Sequence, residues 1–560
     1  MIKARTAVEN MSAYLPPLEG RRGLVRLDFN ENTEGFPWAS PGLPVELVAT
    51  YPEYGQCERS LAEYWNLGTE NILLTDGSDE GLLVVALTFI EPGTGRAVIT
   101  RPTFALIRQY LQLAGAQLIE VPLTGSLEFD HDGIAAVLEG TNIAFFASPD
   151  NPTGAVLDQD CVINWCRNWP DTLFVIDEAY AEYTGRTLVP LVRQLENLIV
   201  LRSFSKAWGM AGLRLGAATG SKRLIDYMRR VRSPYSVNSA AVTTVMNLLR
   251  RSGEIHAAAR ETMARKKWLT NEVQRRGYRV HSGAANFFLV GVGAGAQSWC
   301  DYCRRHGVLV RDRSSMPALS GMVRVSAGTD RENRIFLDAL DAYRHSHALI
   351  FDLDDTLVDC SQSYARIVAE LVSCHSDEPL RVGELNALRA EGGFNDEWDA
   401  TQELLRRRGV AVTIQEIARE GQSCYLGIAG ENERWSLSDE VLAQLKLRYR
   451  LLVLTGRTRA EYEPVWGKFA GSRFEHVWCR DDFDGLRPKP APDMLLSVLN
   501  QSQVESAIYI GNSVDDMRAA IEAGLGRIAI RSTTPDAALR DAGAEYILDD
   551  VNSLREVIAI

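Results

Sequence analysis

The sequence lacks both a candidate membrane span and an excess of positive charge. The apolar run over residues 82–87 is far shorter than the roughly 18 residues that a spanning helix needs. The start of the chain has no apolar segment of the kind that a signal peptide requires. The 60 Lys and Arg residues are outnumbered by 73 Asp and Glu residues, and the formal net charge is −13. We therefore expect neither a membrane nor a nucleic acid as partner, so anionic ligands would be bound by local basic pockets.

Cysteine is also scarce. The nine cysteines are an odd number, scattered from Cys57 to Cys479. This pattern predicts reduced thiols in a cytoplasmic protein rather than a disulfide framework. Cys300 and Cys303 have the spacing of a redox or zinc site, but no second pair accompanies them and they fall in a predicted helix over residues 296–306. We interpret them as two ordinary residues of that helix.

The sequence has no internal repeat and no low-complexity tract. Because 560 residues are too many for one hydrophobic core, at least two domains are expected. Short apolar runs alternate with amphipathic stretches, which predicts an α/β fold with a mostly parallel sheet. The runs interpreted as buried strands are 72–74, 97–99, 143–147, 173–176 and 198–201. Because ligands of such sheets lie beyond the carboxyl ends of the strands, residues that follow these runs are site candidates.

One lysine follows the last of these strands. Lys206 lies between small hydroxyl residues, and Arg214 follows eight residues later in a loop punctuated by glycines. A lysine in this setting suits a Schiff base, while the hydroxyls and the guanidinium suit a phosphate group. The pattern indicates pyridoxal phosphate as cofactor.

Candidate partners for a phosphate and a flat ring follow two other strands. Ser78 and Asp79 come just before a predicted helix that begins near Glu80, where free backbone N–H groups could hold a phosphate. Phe104 follows the run 97–99 and could stack on the ring. A core phenylalanine is an equally good interpretation of that residue.

Polar groups for the ring itself follow the strands at 143–147 and 173–176. Asn151 stands in a rigid turn that could aim its amide at a phenolic oxygen, although turn chemistry alone would explain it. Asp177 is a carboxylate at the end of a buried strand, where a protonated pyridine nitrogen would be a suitable partner. Tyr180, three residues later, could reach the oxygen of the same ring.

These motifs together resemble those of fold-type I aminotransferases, which implies a large mixed-sheet domain with a small domain. They are Asn-Pro-Thr-Gly at 151–154, Asp-Glu-Ala-Tyr at 177–180, Ser-Phe-Ser-Lys at 203–206 and Gly-Met-Ala-Gly-Leu-Arg at 209–214. Within that group, residues 5–344 are most similar to histidinol-phosphate aminotransferases. The segments that carry this similarity are Leu-Asp-Phe-Asn-Glu-Asn at 27–32, Tyr-Pro-Glu at 51–53, Gly-Ser-Asp-Glu at 77–80 and Val-Arg-Val-Ser-Ala-Gly-Thr at 323–329.

The resemblance implies a role for each matching residue. Lys206 would be the Schiff-base lysine, Asp177 the partner of the pyridine nitrogen, and Asn151 and Tyr180 the partners of the ring oxygen. Phe104 would stack on the ring where the family usually has tyrosine, which keeps the stacking and loses a hydroxyl. The cofactor phosphate would be held by Gly77, Ser78, Asp79, Ser203, Ser205 and Arg214, with Tyr51 reaching over from the second subunit of a homodimer. The substrate anion would meet Tyr14, Asn30, Arg311 and Arg324.

A second domain is predicted directly after the first, so that the domains are 1–346 and 347–560. The apolar strand 348–351 ends in Asp352 and Asp354, and two carboxylates so spaced can share Mg²⁺ while one attacks phosphorus. A hydroxyl, an ammonium and an acidic loop follow further along the chain. They are Thr455 after the strand 451–454, Lys489 within 487–493, and the loop 511–516 after the strand 508–510.

This order resembles the haloacid dehalogenase superfamily of phosphatases, which implies a Rossmann-like domain. Asp352 would be the nucleophile, Asp354 the general acid and base, and Thr455 and Lys489 the phosphoryl ligands. Mg²⁺ would be held by Asp352, Asp354, Asn512 and Asp516. Asn512 departs from the family, which usually has an acid there; an amide oxygen can bind Mg²⁺ but adds no charge. The insert at about 361–447 would be the helical cap that closes over substrate.

We therefore expect a bifunctional enzyme that transaminates a small phosphorylated carbonyl compound, with glutamate as the expected amino donor, and then removes the phosphate. Imidazole-acetol phosphate and dihydroxyacetone phosphate both fit, and no residue chooses between them. One alternative is a pyridoxal-phosphate-dependent decarboxylase of a phosphorylated amino acid. Another is an aminotransferase whose second domain is regulatory and inactive, which the asparagine at 512 would favour.

Overall fold

The computed structural model describes residues 23–30, 49–391, 394, 396–446, 449–532 and 534–558. The chain divides into two compact units. One comprises Met1–Val290 and Gly307–Phe336, and the other comprises Gly291–His306 and Leu337–Ile560. The second unit thus takes in residues 291–306, which lie within the first predicted domain. No described helix is both long and apolar enough to cross a membrane.

The first unit is built on a seven-stranded sheet with the order β2-β8-β7-β6-β5-β3-β4. Its strands are β2 (Ile72–Thr75), β3 (Arg96–Arg101), β4 (Gln117–Pro122), β5 (Ile143–Ala147), β6 (Leu173–Asp177), β7 (Leu198–Ser203) and β8 (Gly216–Gly220). β8 runs antiparallel to β2 and β7, and the other pairs are parallel. The five predicted strands are therefore confirmed.

The buried strands explain why the sequence shows apolar runs here instead of alternation. In β5, Ala144 and Phe146 contact one hydrophobic core, while Ile143, Phe145 and Ala147 contact another. Successive side chains of a strand point to opposite faces, so both faces of this sheet are covered by apolar layers. The polar residue that follows each apolar run is the first residue beyond these layers, so its side chain can contact a ligand.

Helices cover this sheet and lead from strand to strand. They are α1 (Gly55–Trp65), α2 (Gly77–Phe89), α3 (Ala105–Ala114), α4 (His131–Ala135), α5 (Gln159–Asn168), α6 (Ala181–Thr184), α7 (Lys222–Arg229), α8 (Ser239–Leu249) and α9 (Ser252–Arg275). A second sheet has the order β12-β13-β10-β9, and β1 pairs in parallel with β11. These strands are β1 (Val25–Arg26), β9 (Arg279–His281), β10 (Phe287–Gly291), β11 (Val308–Leu309), β12 (Arg311–Asp312) and β13 (Met322–Ser326).

The second unit has a six-stranded parallel sheet with the order β18-β17-β14-β19-β20-β21. Its strands are β14 (His347–Phe351), β17 (Arg450–Leu454), β18 (His476–Trp478), β19 (Ser506–Gly511), β20 (Gly526–Ile530) and β21 (Tyr546–Leu548). β14 lies between β17 and β19, so the segments that follow these three strands meet at one edge of the sheet.

Two short strands, β15 (Val358–Asp359) and β16 (Arg434–Trp435), pair antiparallel and flank a four-helix cap. The cap helices are α12 (Tyr364–His375), α13 (Glu384–Glu391), α14 (Glu397–Arg407) and α15 (Ile414–Asn432). The remaining helices are α10 (Ala296–Arg305), α11 (Asp330–Ser346), α16 (Asp439–Lys446), α17 (Arg459–Tyr462), α18 (Lys468–Gly471), α19 (Asp493–Ser502), α20 (Val514–Glu522) and α21 (Asp536–Asp541). Single turns of other helix types occupy Thr69–Asn71, Val189–Arg193, Ala211–Leu213, Glu463–Gly467, Arg480–Asp482 and Val551–Glu556.

Helix α10 is the predicted helix around Cys300 and Cys303. It packs within the second unit, where Ser298 Oγ donates to the Gly524 carbonyl at 2.8 Å and Arg305 donates to the Glu505 carbonyl at 2.8 Å. All nine cysteines are free thiols, in agreement with the predicted reduced state. Burial raises the pKa of the Cys303 thiol, as expected of a structural cysteine.

A buried ion network lies behind β6 and β7 in the first unit. Arg202 donates to Glu178 at 2.9 Å and also contacts Glu182, and Trp208 Nε1 donates to Glu182 at 2.8 Å. All four side chains are almost completely buried. Buried charged side chains are stable only when they are paired with one another, because water no longer solvates them.

We predict that Glu182→Ala lowers the free energy of unfolding by about 3 kcal/mol, because it leaves Arg202 buried with one partner fewer. Urea unfolding of the purified chain measures this loss. The matched control is Glu261→Ala, which removes an exposed carboxylate paired with the half-buried Arg265 and should cost less than about 1 kcal/mol. Equal stability of Glu182→Ala and the control would contradict the assigned role of the network.

Candidate active sites

The carboxyl ends of the strands in the first unit open into a cavity of about 490 Å³, here called the first cavity. Its described lining contains most of the predicted site residues. They are Asn30, Ser78, Asp79, Phe104, Asn151, Asp177, Tyr180, Ser203, Ser205, Lys206, Arg214 and Arg324. Residues from distant parts of the sequence therefore meet where the strand pattern predicts a site.

Lys206 extends into the first cavity from the loop after β7. Its Nζ donates to the Phe29 carbonyl at 3.0 Å and lies 5.7 Å from the centre of the Tyr180 ring. The Tyr180 hydroxyl accepts from Asn30 Nδ2 at 2.9 Å, and Asn30 Oδ1 accepts from Ser326 at 2.7 Å. The lysine is thus placed beside a tyrosine whose orientation is fixed by two further side chains.

Asp177 ends β6 at the floor of the first cavity and is 4% exposed. Its Oδ1 accepts from the Ala179 N–H at 3.1 Å. Burial raises the pKa of Asp177 to about 7, and Asp79 adds to the rise while Lys206 opposes it. A buried carboxyl of this kind gains most from a cationic partner. A protonated ring nitrogen would supply that partner, so the floor of the cavity fits the predicted cofactor.

The predicted phosphate cradle is formed by the start of α2 and the loop after β7. Arg214 donates to Asp79 at 2.9 Å and to Ser205 Oγ at 3.3 Å, which places its guanidinium over the start of the helix. Gly77 has φ +70°, and a Cβ there would lie 2.4 Å from Arg214 Nη2. Free N–H groups at a helix start, with an arginine beside them, suit a phosphate. Glycine suits this position, because the positive φ strains other residues and a side chain would displace the guanidinium.

Arg324 on β13 is 2% exposed and lines the first cavity. It contacts Asn151 Oδ1 and donates to the Asp28 carbonyl at 2.6 Å. Arg311 is its cross-strand partner on β12, but the Arg311 guanidinium lies 5.8 Å from the centre of the Phe29 ring and is not in the cavity lining. The role of Arg311 as a substrate ligand stays a prediction.

Arg313 lines the first cavity and was not among the predicted residues. Arg313 follows β12 directly, and no sequence pattern indicated it. Two arginines, Arg313 after β12 and Arg324 on β13, therefore line the cavity. They are a suitable pair for a substrate anion.

Of the described residues predicted for this site, Gly77, Arg311 and Tyr51 are not in the lining of the first cavity. Tyr51 is 74% exposed and stacks on Tyr235, with ring centroids 4.4 Å apart. Its predicted contact with a second subunit stays a prediction. Tyr14 lies outside the described residues.

The second unit has its own cavity of about 140 Å³ at the edge where β14, β17 and β19 end, here called the second cavity. Asp352, Asp354, Thr455, Lys489 and Asn512 all line it, as the motif order predicts. Lys489 Nζ donates to Asp352 at 2.8 Å, to Asp516 at 2.7 Å and to the Tyr509 hydroxyl at 3.0 Å. Tyr509, a residue of β19 with no sequence signal for this role, helps to position the lysine.

Asp354 is bonded to Arg457, an arginine for which the sequence predicted no role. Arg457 Nε donates to Asp354 at 2.9 Å, while the guanidinium also donates to Glu433 at 3.0 Å. Burial acts to raise the pKa of Asp354, but the Arg457 guanidinium outweighs it and leaves that pKa below its ordinary value. Burial raises the pKa of Asp352, against the effect of the Lys489 ammonium. These shifts run opposite to the predicted roles, because a nucleophile must be ionised and a general acid must carry a proton. Both roles therefore stay predictions.

Asp516 and Asn512 close the last motif. Asp516 Oδ2 accepts from the backbone N–H groups of Asn512 and Ser513, each at 3.0 Å, and its other oxygen accepts from Lys489. Asn512 donates to Ser532 Oγ at 3.1 Å and its Oδ1 faces Thr356. Asp516 thus anchors both the loop and the lysine, and its role as a metal ligand stays a prediction.

Asp352 and Asn512 line the second cavity. Their carboxylate and amide oxygens are the kind of ligand that Mg²⁺ prefers. Among the described residues, no three His, Cys, Asp or Glu side chains are arranged to hold a metal ion. The predicted Mg²⁺ ligands, Asp352, Asp354, Asn512 and Asp516, therefore stay a prediction.

We predict that Asn512→Asp tightens Mg²⁺ binding by about tenfold, because it adds one negative charge to the donor set. Calorimetric titration with Mg²⁺ and the Mg²⁺ dependence of phosphate release both measure the change. The control is Asn500→Asp, an exposed position on α19. Unchanged affinity in Asn512→Asp would mean that another group, such as the buried Asp515, already supplies the charge.

Comparisons with known proteins agree with this geometry. Residues 46–340 match the family described as aminotransferase class I and II, and residues 347–524 match the haloacid dehalogenase-like hydrolases. The chain therefore belongs to the class I and II aminotransferases and carries a haloacid dehalogenase-like hydrolase domain after them. Both are enzyme families. The first uses pyridoxal phosphate, which confirms the predicted cofactor, and hydrolases of the second typically use Mg²⁺.

The curated relatives of the first domain include histidinol-phosphate aminotransferases. That of Symbiobacterium thermophilum is 36% identical over 360 residues, which cover 61% of this chain and 99% of the relative. That of Ruminiclostridium cellulolyticum is 29% identical over 331 residues, 57% of this chain and 92% of the relative.

Solved structures show the same fold. The histidinol-phosphate aminotransferase of Sinorhizobium meliloti, solved with pyridoxal 5′-phosphate, has a TM-score of 0.55 at 22% identity and covers 61% of this chain and 97% of its own. The L-threonine-O-3-phosphate decarboxylase of Porphyromonas gingivalis has a TM-score of 0.51 at 22% identity, over 57% of this chain and 100% of its own. The predicted fold-type I architecture is confirmed.

Proposed function

We propose that the enzyme transaminates a small phosphorylated carbonyl compound and then hydrolyses the phosphate ester of the resulting amine, releasing an amino alcohol. The observation that carries this proposal is the presence of both sites on one chain. Lys206 lies near Asp177 in the first cavity, and Asp352 is bonded to Lys489 in the second. An aminotransferase related to enzymes named for a phosphorylated substrate is thus joined to a hydrolase domain equipped for phosphate esters.

In the first cavity, bound pyridoxal phosphate would supply an electron sink for the reaction at the substrate carbon next to nitrogen. Lys206 moves the proton at that carbon, from its position beside Tyr180. The Asp177 carboxylate holds the proton on the ring nitrogen. Arg313 and Arg324 hold the anionic end of the substrate, and bidentate guanidinium groups fix its orientation better than lysines would.

In the second cavity, an Asp352 oxygen attacks phosphorus and the bond from phosphorus to the alcohol oxygen breaks. Asp354 would give a proton to that alcohol, although Arg457 favours its ionised form, and would later take one from the water that releases phosphate from Asp352. Lys489 and Thr455 stabilise the negative charge on the phosphoryl oxygens. Arg457 keeps Asp354 pointed at the cavity.

The relatives' names make histidinol phosphate the first amine to test, formed from imidazole-acetol phosphate, with dihydroxyacetone phosphate as the smaller alternative. We propose glutamate as the amino donor. The exposed Tyr51 supports a homodimer in which it completes the partner's phosphate cradle. The nine free thiols suit a reducing, cytoplasmic location.

The test is a product analysis with the purified chain, glutamate and each phosphorylated ketone. We expect 2-oxoglutarate to form in step with an amine, and no carbon dioxide to form from phosphorylated amino acids. Release of carbon dioxide without consumption of an amino donor would overturn the proposal in favour of a decarboxylase. Hydrolysis by the second site is followed in the same samples as free phosphate.

A further inference from the structure

The second cavity has a wall that the proposed phosphatase chemistry does not use. It is formed by cap helices α13 and α14 and by core residues that face them. Of the described residues that line this wall, five are carboxylic acids and two are arginines. They are Asp355, Asp396, Glu397, Asp399, Glu461, Arg389 and Arg480. The wall therefore has an excess of negative charge.

Some of these acids have structural duties that account for them. Asp396 is the N-cap of α14, where it accepts from the N–H groups of Trp398 and Asp399, and it also contacts Arg480. Glu461 caps the turn at Thr458 and accepts from Trp398 Nε1 at 3.3 Å. Neither residue needs a ligand.

Glu397 and Asp399 differ from this pattern. Glu397 Oε1 pairs with Arg389 at 2.9 Å. Burial raises the pKa of Glu397 to about 8, and Asp354 and Asp396 add to the rise while Arg389 opposes it. Asp399 is exposed to the cavity side and accepts no side-chain hydrogen bond within the described part of the chain. This part of the wall has less positive charge than its carboxylates require.

The position of the wall relative to Asp352 determines which part of the substrate the wall can contact. In the proposed mechanism Asp352, Thr455 and Lys489 bind the phosphoryl group, and all three line the second cavity together with the wall. Displacement at phosphorus is in line, so the leaving alcohol lies away from the nucleophile. The cavity holds only about 140 Å³, so we expect the leaving alcohol to come close to the wall residues of α13 and α14.

We propose that the acidic wall at Glu397 and Asp399 binds an ammonium group on the leaving alcohol, so that the phosphatase selects phosphorylated amino alcohols over the corresponding carbonyl or hydroxyl compounds. This inference rests on the proposed function and names the substrate class of its second site. A reaction that converts the carbonyl into an amine must then precede hydrolysis. The first cavity is equipped for that reaction, and the carbonyl phosphate is spared from premature loss of its phosphate.

The test compares two phosphate esters of the same shape. In 2-amino-1,3-propanediol phosphate an ammonium replaces the central hydroxyl of glycerol 3-phosphate. The full chain with Mg²⁺ should release phosphate from the amine with a kcat/KM at least about tenfold higher, since charge-assisted hydrogen bonds distinguish the two. Histidinol phosphate and its 2-hydroxy analogue form a second pair with a larger leaving group.

Three outcomes are distinguishable. A preference for the amine in either pair supports the inference. Equal rates within both pairs overturn it and leave the proposed phosphatase standing. Failure to release phosphate from all four esters overturns the proposed function and the inference together.

Variants test which residues cause the preference. Asp399→Asn and Glu397→Gln should each lower the ratio of kcat/KM values for amine over hydroxyl by about tenfold, and Asp399→Lys should lower it further. The matched control is Glu370→Gln on the exposed face of α12, which should keep the ratio of the parent. An unchanged ratio in all three wall variants would show that the selection, if present, arises elsewhere, and would overturn the assignment.

Discussion

Replacing Lys206 with alanine should lower transamination at least ~10³-fold, because it removes the side chain that we propose bonds the cofactor and moves the substrate proton. Of the described residues that line the first cavity, Lys206 is the single lysine, so no neighbour can take its place. The visible absorbance of the bound cofactor should change as well. Phosphate release should persist, since the second cavity is lined by residues of the other unit.

Amine formation, the absorbance spectrum and phosphate release are measured on the same preparation. Lys222→Ala is the control, because Lys222 is an exposed residue paired with Asp226. Normal transamination by Lys206→Ala would remove the basis for the first site. Loss of phosphate release in the same variant would contradict the independence of the two sites.

Replacing Asp352 with asparagine should lower phosphate release at least ~10³-fold while transamination continues. The amide keeps the shape of the side chain and can still accept from Lys489, but it has no charged oxygen to attack phosphorus. The phosphorylated amine should therefore accumulate. Phosphorus NMR of the reaction mixture distinguishes the ester from free phosphate.

The control for this variant is Asp536→Asn, which removes an exposed pair with Arg531 far along the chain from the motif. Continued release of phosphate by Asp352→Asn would mean that another group attacks phosphorus. Loss of transamination in that variant would argue against separate sites.

The strands and the residues that follow them were predictable because β5, β6, β7, β14, β17 and β19 are buried on both faces and appear as short apolar runs. A polar residue directly after such a run stands at the ligand edge of a parallel sheet. Lys206, Asp177, Asp352 and Thr455 were all found in this way. For these four residues, the local sequence was sufficient to predict a place in the site.

The rest depends on contacts between distant segments. Arg457 contacts Glu433 across the base of the cap, and nothing near either residue in the sequence indicates the other. Tyr509 lies inside β19 and has the sequence pattern of a core residue. The amphipathic pattern of α10 predicts a helix, but not that it packs in the second unit. Register and tertiary packing decide these features.

The central claim is that one chain replaces a carbonyl with an amine and then removes the phosphate. The most direct test supplies a phosphorylated ketone with ¹⁵N-labelled glutamate and follows nitrogen and phosphate together. The account predicts that ¹⁵N appears in an unphosphorylated amino alcohol, with equal amounts of 2-oxoglutarate and phosphate, and that phosphate release needs the amino donor. Phosphate released at the same rate without glutamate, or ¹⁵N absent from the product, would contradict it.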